Sequence, residues 1–135
     1  MTTALQTVQQ IYAAFGRGDI AAILDRLDDE VKWEPWPHNS AQAAGVPWMR
    51  GGSGKGAAAE FFGIVGTFKF NDFQVLGMMA SDGQVAVECK VDFNLPDGGH
   101  LRDEEMHLWT VNAQGQVVRF RHYLDTAKHI ALLPR

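Results

Sequence analysis

Residues 100–126 read HLRDEEMHLWTVNAQGQVVRFRHYLDT. Val, Trp, Phe and Tyr fill two arms around Asn112-Ala113-Gln114-Gly115, the pattern of a β-hairpin closed by a short Gly-containing turn. Alternation along the first arm sets Asp103, Glu105, His107, Trp109 and Val111 on one face. Glu104, Met106, Leu108 and Thr110 fall on the other. A solvated face seldom runs from two acids and a histidine directly into Trp and Val. This face is therefore expected to pass from solvent into an enclosed pocket, where pKa values shift.

Working outward, the 135 residues, 46% of them hydrophobic, suit one domain over 1–135 with a single core. A net charge of −4 with no run of Lys or Arg points away from nucleic acid and anionic membranes and toward a small-molecule partner. The lone Cys89 allows no internal disulfide, and MTTALQTVQQ lacks the features of a secretion signal, so a cytoplasmic location is expected. No apolar run approaches the ~20 residues of a membrane helix.

Toward the N-terminus, Thr3-Ala4-Leu5-Gln6 forms a capping box ahead of Leu5, Val8, Ile11, Tyr12 and Phe15 at helical spacing. That helix should stop at Gly16-Arg17-Gly18. Asp19 then caps a second helix with the stripe Ile20, Ile23, Leu24 and Leu27. Val31 to Pro37 alternates as a strand that Pro35 ends, with Glu34 at its exit. The Pro- and Gly-rich segment from His38 to Ser53, which also carries Val46, Trp48 and Met49, reads as a lid or pocket rim. Ser53 is expected to cap a third helix through Ala57, Phe61, Phe62 and Val65. Strands follow at Phe68–Met79, with a bulge near Asn71-Asp72, and at Val85–Leu95, then the hairpin. Three helices and a curved, mostly antiparallel sheet make an α+β domain.

With these elements in order, the phrases VQQIYAAFGRGDIAAILDRLDDEVKWEP and WTVNAQGQVVRFRHYLDT resemble the ketosteroid-isomerase-like and SnoaL-like branches of the nuclear transport factor 2-like superfamily. The resemblance spans nearly the whole chain. It implies a cone-shaped α+β fold whose bent sheet and helices enclose a deep apolar pocket, commonly in a homodimer. In ketosteroid isomerases a tyrosine late in the first helix donates to the substrate oxygen, and Tyr12 matches it. The isomerase's base is an aspartate before a proline at the end of the first strand, where this chain has Glu34 before Pro35. Its second donor, a protonated aspartic acid, corresponds to His107, a departure that preserves donation but not steroid specificity. The resemblance thus implies Tyr12, Glu34 and His107 as the acid/base set, and Glu105, on the same strand face as His107, would pair with it and tune it. Phe15, Trp33, Trp36, Trp48, Met49, Phe62, Phe93, Trp109, Phe120, His122 and Asp125 would contact the ligand.

Each of these residues also has a plainer reading. Tyr12 is equally a core residue with its hydroxyl at the rim. Alternation turns Glu34 away from Val31 and Trp33 into solvent unless Pro35 redirects the chain. His107 is equally an interior histidine satisfied by Glu105, Asp103 a strand-end charge, and Asp125 a helix cap. Cys89, on an apolar face, reads as an inert small hydrophobe.

GGSGKG at 51–56 lacks the spacing of a phosphate loop and reads as a flexible lead-in to a helix. The histidines show no ligand spacing; Glu105 and His107 facing His122 are where a metal would be sought. The expectation is a protein with neither cofactor nor metal that binds a small apolar or aromatic molecule. As an enzyme it would be an acid/base isomerase or cyclase acting on a carbonyl compound. A non-catalytic ligand-binding or dimeric interaction module is the alternative. A third reading, epoxide hydrolysis by Asp103 or Glu105 with Arg102, suffers because alternation turns Arg102 away from both acids. The apolar face of Met106, Leu108 and Thr110 suggests a homodimer surface.

Overall fold

The computed structural model describes residues 3–134. Helix α1 (Ala4–Gly16) starts at the expected capping box, with Thr3 Oγ1 accepting from Gln6 N and Gln6 Oε1 from Thr3 N. Helix α2 (Ile20–Leu24) is capped by Asp19. It is shorter than its apolar stripe implied, because Leu27 already belongs to strand β1 (Leu27–Trp33). Leu27, Val31 and Trp33 are fully buried; at roughly 1.5–3 kcal/mol per large apolar side chain, that burial outweighs continuing a helix.

The segment expected to be a lid or pocket rim holds short elements of its own. Helix α3 (Ser40–Ala43) and a 3₁₀ turn at Pro47–Met49 are followed by β2 (Gly52–Ser53), which pairs antiparallel with β1. Helix α4 (Lys55–Val65) has Gly54, not Ser53, at its N-cap, because Ser53 lies in β2 and accepts from Lys32 Nζ instead. The long strands β3 (Lys69–Ser81) and β4 (Gln84–Asn94) carry register shifts at Phe70/Asp72, where a bulge is expected, and at Val75/Gly77. These shifts bend the sheet.

The hairpin forms from β5 (His100–Val111) and β6 (Val117–Tyr123). Its turn closes because Asn112 Oδ1 accepts from both Gln114 N and Gln116 N, while Gly115 supplies φ +80°. Helix α5 (Thr126–Ile130), capped by Asp125, brings the α-helices among the described residues to five, where three were expected.

The sheet order is β2-β1-β6-β5-β4-β3, antiparallel except for β1 beside β6. Helix α1 crosses β3, β4 and β5, and α4 packs on β1. Val85, Val87, Cys89 and Phe93 of β4 and Trp109 of β5 form much of the buried face. Cys89 is buried and unbonded to another cysteine. Among the described residues no helix is long and apolar enough to cross a membrane.

Candidate functional site

Helices α1, α2 and α4, the 3₁₀ turn, α5, the end of β1 and the concave face of β3–β6 line a cavity of about 80 Å³. Its wall is overwhelmingly apolar, built from Phe15, Trp33, Trp48, Phe61, Phe62, Phe68, Phe70, Phe73, Phe93, Trp109 and Phe120. The polar exceptions are Tyr12, Glu105, His107, His122 and His129. Eleven of the residues expected at the site from sequence therefore sit together here: Tyr12, Phe15, Trp33, Trp48, Phe62, Phe93, Glu105, His107, Trp109, Phe120 and His122.

The first polar chain runs along β5. Asp103, Glu105, His107 and Trp109 are all less than a tenth exposed, so alternation delivers the whole face inward rather than grading it from solvent. Trp109 Nε1 donates to Tyr12 Oη at 3.1 Å, and Tyr12 Oη bonds His107 Nδ1. His107 Nε2 lies 3.2 Å from Glu105 Oε1. An indole can only donate, so with His107 neutral the tyrosine proton goes to Nδ1 and the Nε2 proton to Glu105. Burial raises the Tyr12 pKa well above the usual 10, keeping the hydroxyl protonated. Burial also pulls the His107 imidazole down, but the Cys89 sulfur and Glu105 outweigh it and hold His107 above 6.5. For Glu105, burial works upward and loses to hydrogen bonds from His107 and His129, which keep it ionised.

The second chain was not expected from sequence. His129, on α5, lies 2.9 Å through Nε2 from Asp103 Oδ2 and 3.4 Å from Glu105 Oε2, while Trp48 Nε1 donates to its Nδ1 at 2.9 Å. The signal for it was Asp125, whose capping role starts the short helix that carries His129 inward. Asp103, Glu105 and His129 bring one possible ligand atom each within 4.8 Å of one another, close enough to be considered for a metal ion. The hydrogen bonding opposes that use. A metal on Nε2 would require the proton on Nδ1, where Trp48 already points an N–H. The acids pull His129 upward in pKa against its burial, yet protonating Nδ1 costs the Trp48 bond.

The third group is Glu34. The residue adopts φ +53°, so the chain leaves the sheet one position before Pro35 and alternation is broken. The turn is braced by Glu34 N donating to Phe120 O at 2.8 Å and by Gln42 Nε2 donating to Glu34 O at 3.3 Å. A Cβ on Gly51 would meet Glu34 O at 2.9 Å, so only glycine fits beside it. The carboxylate is consequently 1% exposed rather than solvated. Its Oε1 accepts from His122 N at 2.7 Å, replacing the ladder partner that β1 no longer offers. Its Oε2 lies 3.0 Å from His122 Nδ1, close enough for an ion pair but out of line for a hydrogen bond. Burial lowers the His122 pKa; Glu34, then Glu105, outweigh it and raise it above 6.5.

Glu34 is not on the cavity wall; His122 stands between them. Trp36 and Met49 also lie off the wall. Trp36 packs on Tyr123 beneath Arg121, and Met49 is buried in a separate cluster with Ala41 and Val46. Asp125 caps α5 and faces an outer polar groove. Arg102 pairs with Asp92 on the outer face, away from Asp103 and Glu105.

On the polar side of the wall, His107 and His122 stand on neighbouring strands, His107 paired with Glu105 on the wall and His122 with Glu34 behind it. His107 and His122 are directly opposed in register, with ring centroids 5.9 Å apart, each backed by its own glutamate.

Comparison with known proteins fits this architecture. The SnoaL-like domain family model matches residues 8–120. No curated protein sequence matches the chain. A nuclear transport factor 2-like protein of unknown function from Burkholderia pseudomallei superposes with a TM-score of 0.76 at 24% identity over 100% of both chains. A Mycobacterium tuberculosis protein in complex with estradiol-17beta-hemisuccinate superposes at 0.75 with 18% identity, over 95% of this chain and 98% of that one. TerC, co-crystallised with polyporic acid, superposes at 0.71 with 21% identity over 96% of both. At these identities the structures share the fold, and the matched residues place this chain in the SnoaL-like domain family.

Proposed function

We propose that the cavity binds a small apolar or aromatic carbonyl compound and moves a proton on it without a cofactor, in the manner of an isomerase or cyclase. The observation that carries this reading is the pair of histidine–carboxylate dyads, His107–Glu105 and His122–Glu34, facing one apolar space. His122 is the base: Glu34 engages Nδ1, leaving Nε2 for a proton from the carbon beside the carbonyl. Tyr12 is the donor to the carbonyl oxygen as charge grows there. It is free to donate when His107 is cationic, because His107 Nδ1–H then donates to Tyr12 Oη and releases the tyrosine proton toward the ligand. The resulting enol regains a proton at another carbon in an isomerisation, or attacks a second carbonyl in a cyclisation. Glu34, expected as the base itself, is here the group that orients His122 and raises its basicity.

Support also comes from relatives of the fold that hold a steroid ester and polyporic acid in complexes. Deuterium incorporation beside the carbonyl of cyclic ketones tests the reading, with His122→Gln as the variant that should abolish it. A homodimer is part of the proposal: Met106 and Leu108 of β5 lie half-buried on the outer face beside exposed Met79, a surface suited to a second copy of the chain.

A further inference from the structure

The hydrogen-bonding groups on the cavity wall are nearly all committed to one another. Trp109 N–H goes to Tyr12, and Trp48 N–H goes to His129. His107 Nε2 faces Glu105, and His129 Nε2 faces Asp103. Two groups stand outside this pattern. Trp33 lines the cavity, is 0% exposed, and its indole Nε1 is buried without a partner among the described residues. His122 is engaged by Glu34 through its backbone amide and Nδ1, which leaves Nε2 to the cavity. Trp33 and His122 both stack on Phe120, at 4.4 and 5.6 Å between ring centroids, so one aromatic plane connects them.

A buried donor without a partner costs stability that a ligand acceptor restores. The neutral imidazole with its proton on Nδ1 presents a lone pair at Nε2. The matching ligand group gives a proton to His122 and offers an oxygen lone pair to Trp33. A simple ketone has no hydroxyl proton to give, and a carboxylic acid is already ionised in water, so it arrives as an anion with no proton for His122. We propose that the cavity selects weakly acidic ring hydroxyls, phenols or the enols of cyclic dicarbonyl compounds, and holds them ionised, with the hydroxyl proton on His122 Nε2 and Trp33 Nε1 donating to the ligand. The proton leaves the ligand oxygen and its bonding pair stays there. A neutral His122 takes that proton, and where His122 is already cationic the proton goes to solvent, so the same anion–imidazolium pair results and no further reactant is needed. This deepens the proposed function, since the same site would stabilise an enolate intermediate.

The titratable groups around His122 are Glu34 at the end of β1, Glu105 and His107 on β5, and His129 on α5. The test uses para-nitrophenol, whose phenolate is coloured and whose neutral form is not, at a pH where the free compound is mostly protonated. Wild-type protein should bind it saturably and turn it coloured. His122→Gln should bind it without colour, and Trp33→Phe should weaken binding about fivefold to tenfold. Colourless binding by the wild type overturns the inference without involving any variant, as does colour that survives in His122→Gln. Nitrobenzene, which has no hydroxyl, separates the two levels of the argument. If nitrobenzene binds and the phenol stays neutral, only this inference fails. If neither compound binds, the reading of the cavity as a ligand site fails with it.

Discussion

Glu34 takes up a left-handed backbone conformation so that its carboxylate can receive the His122 amide at 2.7 Å and lie 3.0 Å from the His122 ring. A non-glycine residue at positive φ costs of the order of 1–3 kcal/mol and persists only where its surroundings enforce it. Here Phe120, Gln42 and Gly51 do so. The strain creates a histidine with one nitrogen held by a carboxylate and the other turned to an apolar cavity.

Glu34→Ala should keep the strain and leave the buried His122 N–H without an acceptor, lowering stability by about 1–3 kcal/mol. Urea denaturation checks this. Glu34→Gln, which retains an acceptor oxygen, should lose less.

The pH dependence of that same contact has a definite sign. Glu34 raises the His122 pKa in the folded protein above its ordinary 6.5, against the effect of burial. The stabilisation is therefore fully present below about 6.5 and is lost as pH rises through the folded value. Wild-type stability in urea should fall across that window more steeply than that of Glu34→Gln. Parallel curves would remove the coupling.

Sequence reading found the hairpin face, the aromatic wall and Tyr12, because period-two and helical spacing bear directly on which side chains turn inward. It left Glu34 open for a physical reason. Pro35 disfavours the helical region for the residue before it and favours extended backbone, and nothing in the neighbouring letters signals a positive φ braced by Gln42 and Gly51 from farther along the chain. His129 was missed because the five-residue helix that carries it has no amphipathic period long enough to register. Asp103 read as a strand-end charge; it is 6% exposed only because α5 brings His129 against it.

Tyr12→Phe removes the partner of both Trp109 Nε1 and His107 Nδ1. Stability should fall by about 1–3 kcal/mol. Proton exchange on a bound ketone should slow by roughly two to three orders of magnitude, the usual effect of losing one oxyanion donor. An exchange rate equal to that of wild type would show that the hydroxyl does not meet the ligand.

Trp48→Phe keeps an aromatic ring against Phe68 but deletes the N–H that holds His129 Nδ1. With Nδ1 released and Nε2 still held by Asp103 and Glu105, His129 should accept a proton at higher pH than in wild type. Histidine NMR titration reads this directly, and an unchanged or lowered His129 pKa would contradict the account of the Trp48 contact.

Met79, 57% exposed, lies across Ala86 from Leu108 on the outer face of the sheet. If a second copy covers this face, light scattering at micromolar concentration should give the mass of a dimer, and Met79→Glu with Leu108→Glu should give a monomer that still binds ligand. A monomeric wild type would remove the proposal.

The central claim is that His122 takes a proton from carbon. The most direct measurement is deuterium incorporation beside the carbonyl, followed by mass spectrometry across a panel of cyclic ketones, with wild type, His122→Gln and Glu34→Gln compared. The account expects exchange catalysed by wild type, lost in His122→Gln and reduced in Glu34→Gln. Wild-type exchange that persists unchanged in His122→Gln would contradict the assignment of the base. Absence of exchange by wild type, with the same ketones still raising its melting temperature, would make the cavity a binding site without catalysis.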